Sequence, residues 1–149
     1  MSYTVNNWTA GQQTEPEELL YSGPPYPAKI LIVDDEKEIR DLIRETLSVD
    51  RFEILESATG EDAWEQILNE NPDLVLLDIL LPGKLDGIEI CRRLKTYPQT
   101  REIPVIFVTA VPLTELNSKE MKAEGVFIKP FSPIALVEKI YRTLGKIGE

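Results

Sequence analysis

Five short apolar runs, separated by stretches of helical periodicity, constrain this chain more than any other feature. They lie at residues 30–33, 52–55, 74–77, 105–108 and 126–128. Most are continuously apolar rather than alternating, which is the pattern of strands buried on both faces. Between and after them, apolar residues recur at helical spacing. One set is Ile39, Leu42, Ile43 and Leu47, and a second is Ala63, Trp64, Ile67 and Leu68. A third is Ile88, Cys91 and Leu94, and the last is Ile134, Val137, Ile140, Tyr141 and Leu144. Strands joined through helices run parallel, and the helices then cover both faces of the sheet. The sequence therefore predicts a single α/β domain, a doubly wound five-stranded parallel sheet with five helices. In such sheets ligands bind beyond the carboxyl ends of the strands.

Several helix boundaries are also legible. Asp86 and Glu89 stand three apart, as in a capping box before the third helix. Ser132-Pro133 is a cap followed by a first-turn proline, a strong start for the last helix. Residues 114–124 are mostly polar and carry the weakest helical pattern, read as a fourth helix with a solvated Glu/Lys-rich face over 115–124. Residues 1–27 hold few aliphatics and no Lys or Arg, and close on GPPYP. They read as a flexible N-terminal tail. The domain is expected over 28–146, with 147–149 as a short C-terminal end.

The residues that follow the apolar runs carry the chemistry. The first run ends on Asp34-Asp35, the third on Asp78, the fourth on Thr109, and the fifth on Lys129 with Pro130 next. A parallel sheet brings all of them to one rim. Adjacent carboxylates repel, and desolvating them costs roughly several kcal/mol each unless a cation compensates. Three carboxylates, with no arginine beside them in sequence, suit a hard cation such as Mg2+. Lys129 offers a point charge and Thr109 a hydroxyl for another oxygen. Asp78 can then act as a nucleophile that accepts a phosphoryl group as an aspartyl-phosphate. Taken singly, each residue has a plainer reading. Asp34 and Asp35 could cap a helix, Thr109 could be a strand residue, and Lys129 could be a surface lysine. Their coincidence on one rim favours a site.

Composition narrows the field. Sixteen basic residues against 26 acidic ones give a net charge of -10, which disfavours nucleic acid and anionic membranes as partners. The single cysteine, Cys91, cannot form an internal disulfide and fits a reducing, cytoplasmic setting. Cys91 reads as a small core residue and Trp64 as packing. With no histidine, the familiar zinc sites and histidine-dependent triads are excluded. No apolar run approaches the roughly 20 residues that span a bilayer. The first residues lack the basic and apolar regions of a secretory signal.

The ordered segments "ILIVDD", "LVLLDILLPG", "DGIEICRRLK", "PVIFVTA" and "FIKPF" carry a further reading. Through them, residues 28–146 resemble the receiver domain of two-component response regulators, a flavodoxin-like fold with strand order 2-1-3-4-5. The resemblance implies that Asp78 is the phosphoacceptor. It implies that Asp34, Asp35, Asp78 and the backbone carbonyl of Leu80 hold Mg2+, and that Thr109 and Lys129 contact the phosphoryl group. It also implies a cis peptide between Lys129 and Pro130. The donor would be a phosphohistidine on a sensor histidine kinase or a phosphotransfer protein. The phosphorylated domain would signal to a downstream protein by contact, and could pair with a second copy through the face of the fourth helix, fifth strand and fifth helix. Such a domain assists its own Mg2+-dependent phosphorylation and dephosphorylation but is a signalling module rather than an enzyme.

Three features depart from the family pattern. The segment LPGKLDG carries one more residue between Pro82 and Gly87 than the usual loop. The position that usually holds a switch aromatic, three residues before Lys129, is Val126, while Phe127 should face the other side of its strand. No effector domain follows in this sequence, so the expected output is protein contact rather than DNA binding. Two rival functions remain in view. One is a scaffold that keeps these residues without the reaction. The other is an aspartyl-phosphate phosphatase of the haloacid dehalogenase kind, which wants a second aspartate where this chain has Leu80. Leu80 and Val111 are expected to flank the phosphoryl group and, being apolar, to position attacking water poorly. A long-lived phosphorylated state is the consequence.

Overall fold

All five apolar runs form strands: β1 (Ala28–Val33), β2 (Phe52–Ser57), β3 (Leu74–Leu77), β4 (Val105–Thr109) and β5 (Gly125–Ile128). The computed structural model describes residues 27–47, 52–115 and 122–147. The strands are all parallel and lie in the order β2-β1-β3-β4-β5. Four α-helices join or follow them: α1 (Lys37–Leu47), α2 (Gly60–Glu70), α3 (Gly87–Thr96) and α4 (Pro133–Ile147). A 3-10 turn occupies Leu113–Glu115. The described residues thus hold four α-helices where five were expected. The missing one was read over 114–124, and most of that stretch lies outside the described residues. The expected tail also falls outside them, apart from Pro27.

The sheet is doubly wound because its strands are apolar on both faces. Leu31, Val33, Val75, Leu77, Val105 and Phe107 point to one side, where Ala63 and Ile67 of α2 and Ile90, Cys91 and Leu94 of α3 cover them. Ile30, Ile32, Leu74, Leu76, Ile106 and Val108 point to the other, against Ile43 and Leu47 of α1 and Leu136, Ile140 and Leu144 of α4. Successive residues alternate between the two cores, as a pleated strand requires. The same alternation sends Val126 to the first core and Phe127 to the second, as expected. Burial pushes the Cys91 thiol up to about 11, consistent with a packing role. Trp64 packs edge-on to Tyr97 and under the Arg93 guanidinium, tying α2 to α3.

The helix starts follow the sequence signals. Asp86 accepts the Glu89 amide at 2.9 Å, and Ser132 Oγ accepts the Ala135 amide at 3.2 Å. Helix α2 starts at Thr59, whose hydroxyl takes the Asp62 amide, and ends on left-handed Asn71. The face of α4 needs a correction. Ile134 is 74% exposed, and Leu136 is fully buried in its place. Leu136, Ile140 and Leu144 are spaced by four and form one stripe, whereas Ile134 sits about 200° round the helix from Leu136. Leu42 and Leu68 are likewise exposed at the edges of their stripes. Among the described residues no helix is long and apolar enough to cross a membrane.

Candidate functional site

Strand register fixes the site. Val33 pairs with Leu77, so the next residues, Asp34 and Asp78, emerge side by side, and the Asp78 amide donates to the Val33 carbonyl at 2.9 Å. Thr109 pairs with Ile128, and the Lys129 amide donates to the Thr109 carbonyl at 2.8 Å. The rim lies where β1 has neighbours from two directions of winding, the switch point at which such sheets bind ligands. Asp34, Asp78 and Thr109 are buried, whereas Asp35 is exposed. The Lys129–Pro130 peptide is cis.

Lys129 ties the rim together. Its Nζ lies 2.7 Å from Asp34 Oδ2, 3.1 Å from Asp78 Oδ2 and 3.4 Å from Glu36 Oε1. Burial alone would lower the Lys129 pKa, but hydrogen bonds to Asp34 and Asp78 outweigh it and the ammonium is held more firmly than usual. Asp34 is pushed up, first by burial, with the charge of Asp78 adding to the effect and Lys129 opposing it. One amine therefore serves an excess of carboxylate.

The three aspartates offer oxygens that all lie within 4.8 Å of one another. All-oxygen donors with surplus negative charge, two of them buried, fit a hard divalent cation of the Mg2+ kind. Thr109 Oγ1 accepts the Val111 amide at 3.3 Å, which orients the hydroxyl at the rim. The Leu80 amide approaches Asp78 Oδ1 at 3.4 Å, so the loop after β3 folds back beside the carboxylate. Leu80 itself is 62% exposed, and Val111 is partly buried against the first core.

Two supporting residues escaped the sequence reading. The Glu36 amide donates to Asp34 Oδ1 at 2.8 Å, turning the chain from strand into helix. Arg40 Nη1 donates to the Asp34 carbonyl at 2.7 Å while its Nε holds Glu56 at 2.8 Å. An arginine thus does stand beside the aspartates, six residues on from Asp34. It braces the Asp34 backbone and leaves the Asp34 and Asp78 carboxylates to Lys129. The only cue in sequence was Arg40 on α1 facing Glu56 on β2, which needs the β1–β2 register to be read.

Gly87 fits the loop after β3 against the sheet. A Cβ there would lie 2.1 Å from the Asp78 carbonyl oxygen and 2.7 Å from Ile79 Cα. Backbone cannot yield that far, so Gly87→Ala is expected to destabilise the fold by roughly 1–3 kcal/mol. Urea unfolding of the variant would show it, and an unchanged midpoint would mean that the loop has room.

With this geometry in place, the comparisons with known proteins agree. The response regulator receiver domain model matches residues 30–141. The chain is 40% identical over 121 residues to the phosphate regulon transcriptional regulatory protein PhoB of Pseudomonas aeruginosa, covering 80% of this chain and 52% of that protein. It is 34% identical over 123 residues to the transcriptional regulator ycf27 of Porphyridium aerugineum, covering 81% and 50%. The solved receiver domain of NtrX from Brucella abortus superposes with a TM-score of 0.70 at 33% identity, covering 77% of this chain and 97% of that one. The chain belongs to the response regulator receiver domain family. It spans about half the length of the curated relatives it matches.

Proposed function

We propose that this domain is a phosphoacceptor switch in which Asp78 takes a phosphoryl group from a phosphohistidine on a sensor kinase or phosphotransfer protein. The observation that carries this reading is Lys129 Nζ, held between Asp34 and Asp78 at the switch point of the sheet. Asp78 offers a carboxylate oxygen as nucleophile. The O–P bond forms as the P–N bond of the donor breaks, and the leaving imidazole takes a proton from solvent. Asp34, Asp35, Asp78 and the Leu80 carbonyl would hold Mg2+, which supplies charge to offset the phosphoryl oxygens. Lys129 provides a second positive charge for those oxygens, and the Thr109 hydroxyl can donate to one of them. The same residues speak against the phosphatase reading, because Leu80 occupies the position where that chemistry places its acid/base. Membership of the receiver family supports signalling to a downstream protein in the cytoplasm as part of this proposal.

Intact mass after incubation with acetyl phosphate tests the reading. A single phosphoryl adduct is expected with Mg2+ and none with EDTA. Absence of any adduct, both with acetyl phosphate and with phosphohistidine donors, would favour the scaffold reading.

Lifetime should depend on what stands beside Asp78. Leu80 is exposed and apolar, so it cannot orient an attacking water. Leu80→Asn is expected to speed dephosphorylation by roughly three- to tenfold, about the effect of one new hydrogen bond to water in the transition state. Decay of the phosphorylated mass over time measures it. An equal or slower rate in the variant would contradict the account.

A further inference from the structure

The loop between β3 and α3, residues 78–86, is pinned from outside the site. Glu61, in the first turn of α2, accepts the Lys84 amide on Oε2 at 3.0 Å. Its carboxyl is held below the usual range, first by its own amide and next by that of Lys84, with Leu85 also contributing. Two glycines permit the approach. Gly83 has a φ of +89°, and a Cβ on it would lie 2.9 Å from Glu61 Oε1. A Cβ on Gly60 would lie 2.1 Å from the Leu85 carbonyl oxygen. Leu85 packs its side chain into the core on the α2–α3 side. At its far end the loop is closed by the Gly87 amide, which donates to the Ile79 carbonyl at 2.8 Å. The span from Leu80 to Pro82 therefore hangs between two fixed points, Asp78–Ile79 and the Glu61 contact. This is also the loop that carries an extra residue relative to the family pattern. A longer loop has more conformers to lose, and a charged acceptor at its middle removes many of them.

We propose that Glu61 is a positioning residue: its carboxylate fixes the 82–86 loop and so presents the Leu80 carbonyl to a divalent cation held by Asp34, Asp35 and Asp78. This rests on the metal-site reading above. Glu61 touches neither the cation nor the phosphoryl group and acts only through the loop. Losing a hydrogen-bonded support of a metal ligand weakens metal binding about 10- to 100-fold, and a support one step further removed should act less.

The test uses the full chain and Mn2+ as the probe, with free ion followed by electron paramagnetic resonance. Glu61→Ala should raise the Mn2+ dissociation constant about three- to tenfold. Hydrogen exchange at the Lys84 and Leu85 amides should accelerate in the same variant. Glu61→Gln should restore both measures to within about twofold, because its amide oxygen can still accept the Lys84 N–H. Faster exchange with unchanged Mn2+ affinity would overturn the proposal, as would unchanged exchange in Glu61→Ala. Wild-type protein that binds no Mn2+ would overturn the metal-site reading and this inference with it. Binding in wild type with no change in the variant would overturn the inference alone.

Discussion

Asp78→Ala is expected to lose the phosphoryl adduct entirely, a fall in rate of at least about a thousandfold by comparison with removal of other enzymatic nucleophiles. The variant should also fold more stably. Asp34 carries a raised pKa, chiefly from burial and in part from the charge of Asp78. Taking away Asp78 leaves Lys129 to serve Asp34 without competition, at the 2.7 Å contact already present. The gain should be about 1 kcal/mol, or roughly 3–5 °C in Tm for a domain of this size. Mass spectrometry and thermal unfolding in Mg2+-free buffer read the two effects. An adduct that persists in Asp78→Ala, or a variant less stable than wild type, would contradict the arrangement described here.

Lys129→Met should separate two roles that one amine combines. In the proposed phosphorylation the amine would stabilise developing charge on the phosphoryl oxygens, and its removal should slow adduct formation about a hundredfold. In the resting site the amine would compete with a cation for Asp34 and Asp78, which it contacts at 2.7 and 3.1 Å. Removal should therefore tighten Mg2+ binding while it slows the reaction. Stability without metal should change with pH in a defined direction. A carboxyl whose folded pKa lies above its unfolded value favours folding when protonated, and that contribution is lost as pH rises through the folded pKa. Asp34 is such a group already, and without Lys129 its pKa rises further. The metal-free variant should thus be least stable relative to wild type at neutral pH and recover as pH falls toward the ordinary aspartate range. Weaker Mg2+ binding in the variant would contradict the competition argument.

The sheet was legible because its strands are short, apolar and closed by polar residues, so neither periodicity nor order left much choice. Asp34, Asp35, Asp78, Thr109 and Lys129 were legible for the same reason, since parallel strands can only deliver their ends to one rim. Residues that support the site were not. Arg40 reaches the Asp34 carbonyl and Glu56 through a register between two strands, and Glu61 reaches Lys84 across 23 positions. Neither pair has a period or a motif. Ile134 misled because an apolar residue in the first turn of a helix matches the stripe by spacing alone. The rotation that buries Leu136 is set by where α4 leaves Pro133 and docks beside α1. Loop geometry around Gly83 and Gly87 was hinted at by glycine, but which backbone atoms approach could come only from the fold.

Reductive trapping reads out directly whether Asp78 carries the phosphoryl group. Protein phosphorylated with acetyl phosphate and Mg2+ is treated with borohydride, which reduces an acyl phosphate to the alcohol. Peptide mapping should then find homoserine at position 78 and nowhere else, with none in the EDTA control. Homoserine at another aspartate, or a phosphoryl group on a hydroxyl residue that resists borohydride, would contradict the account.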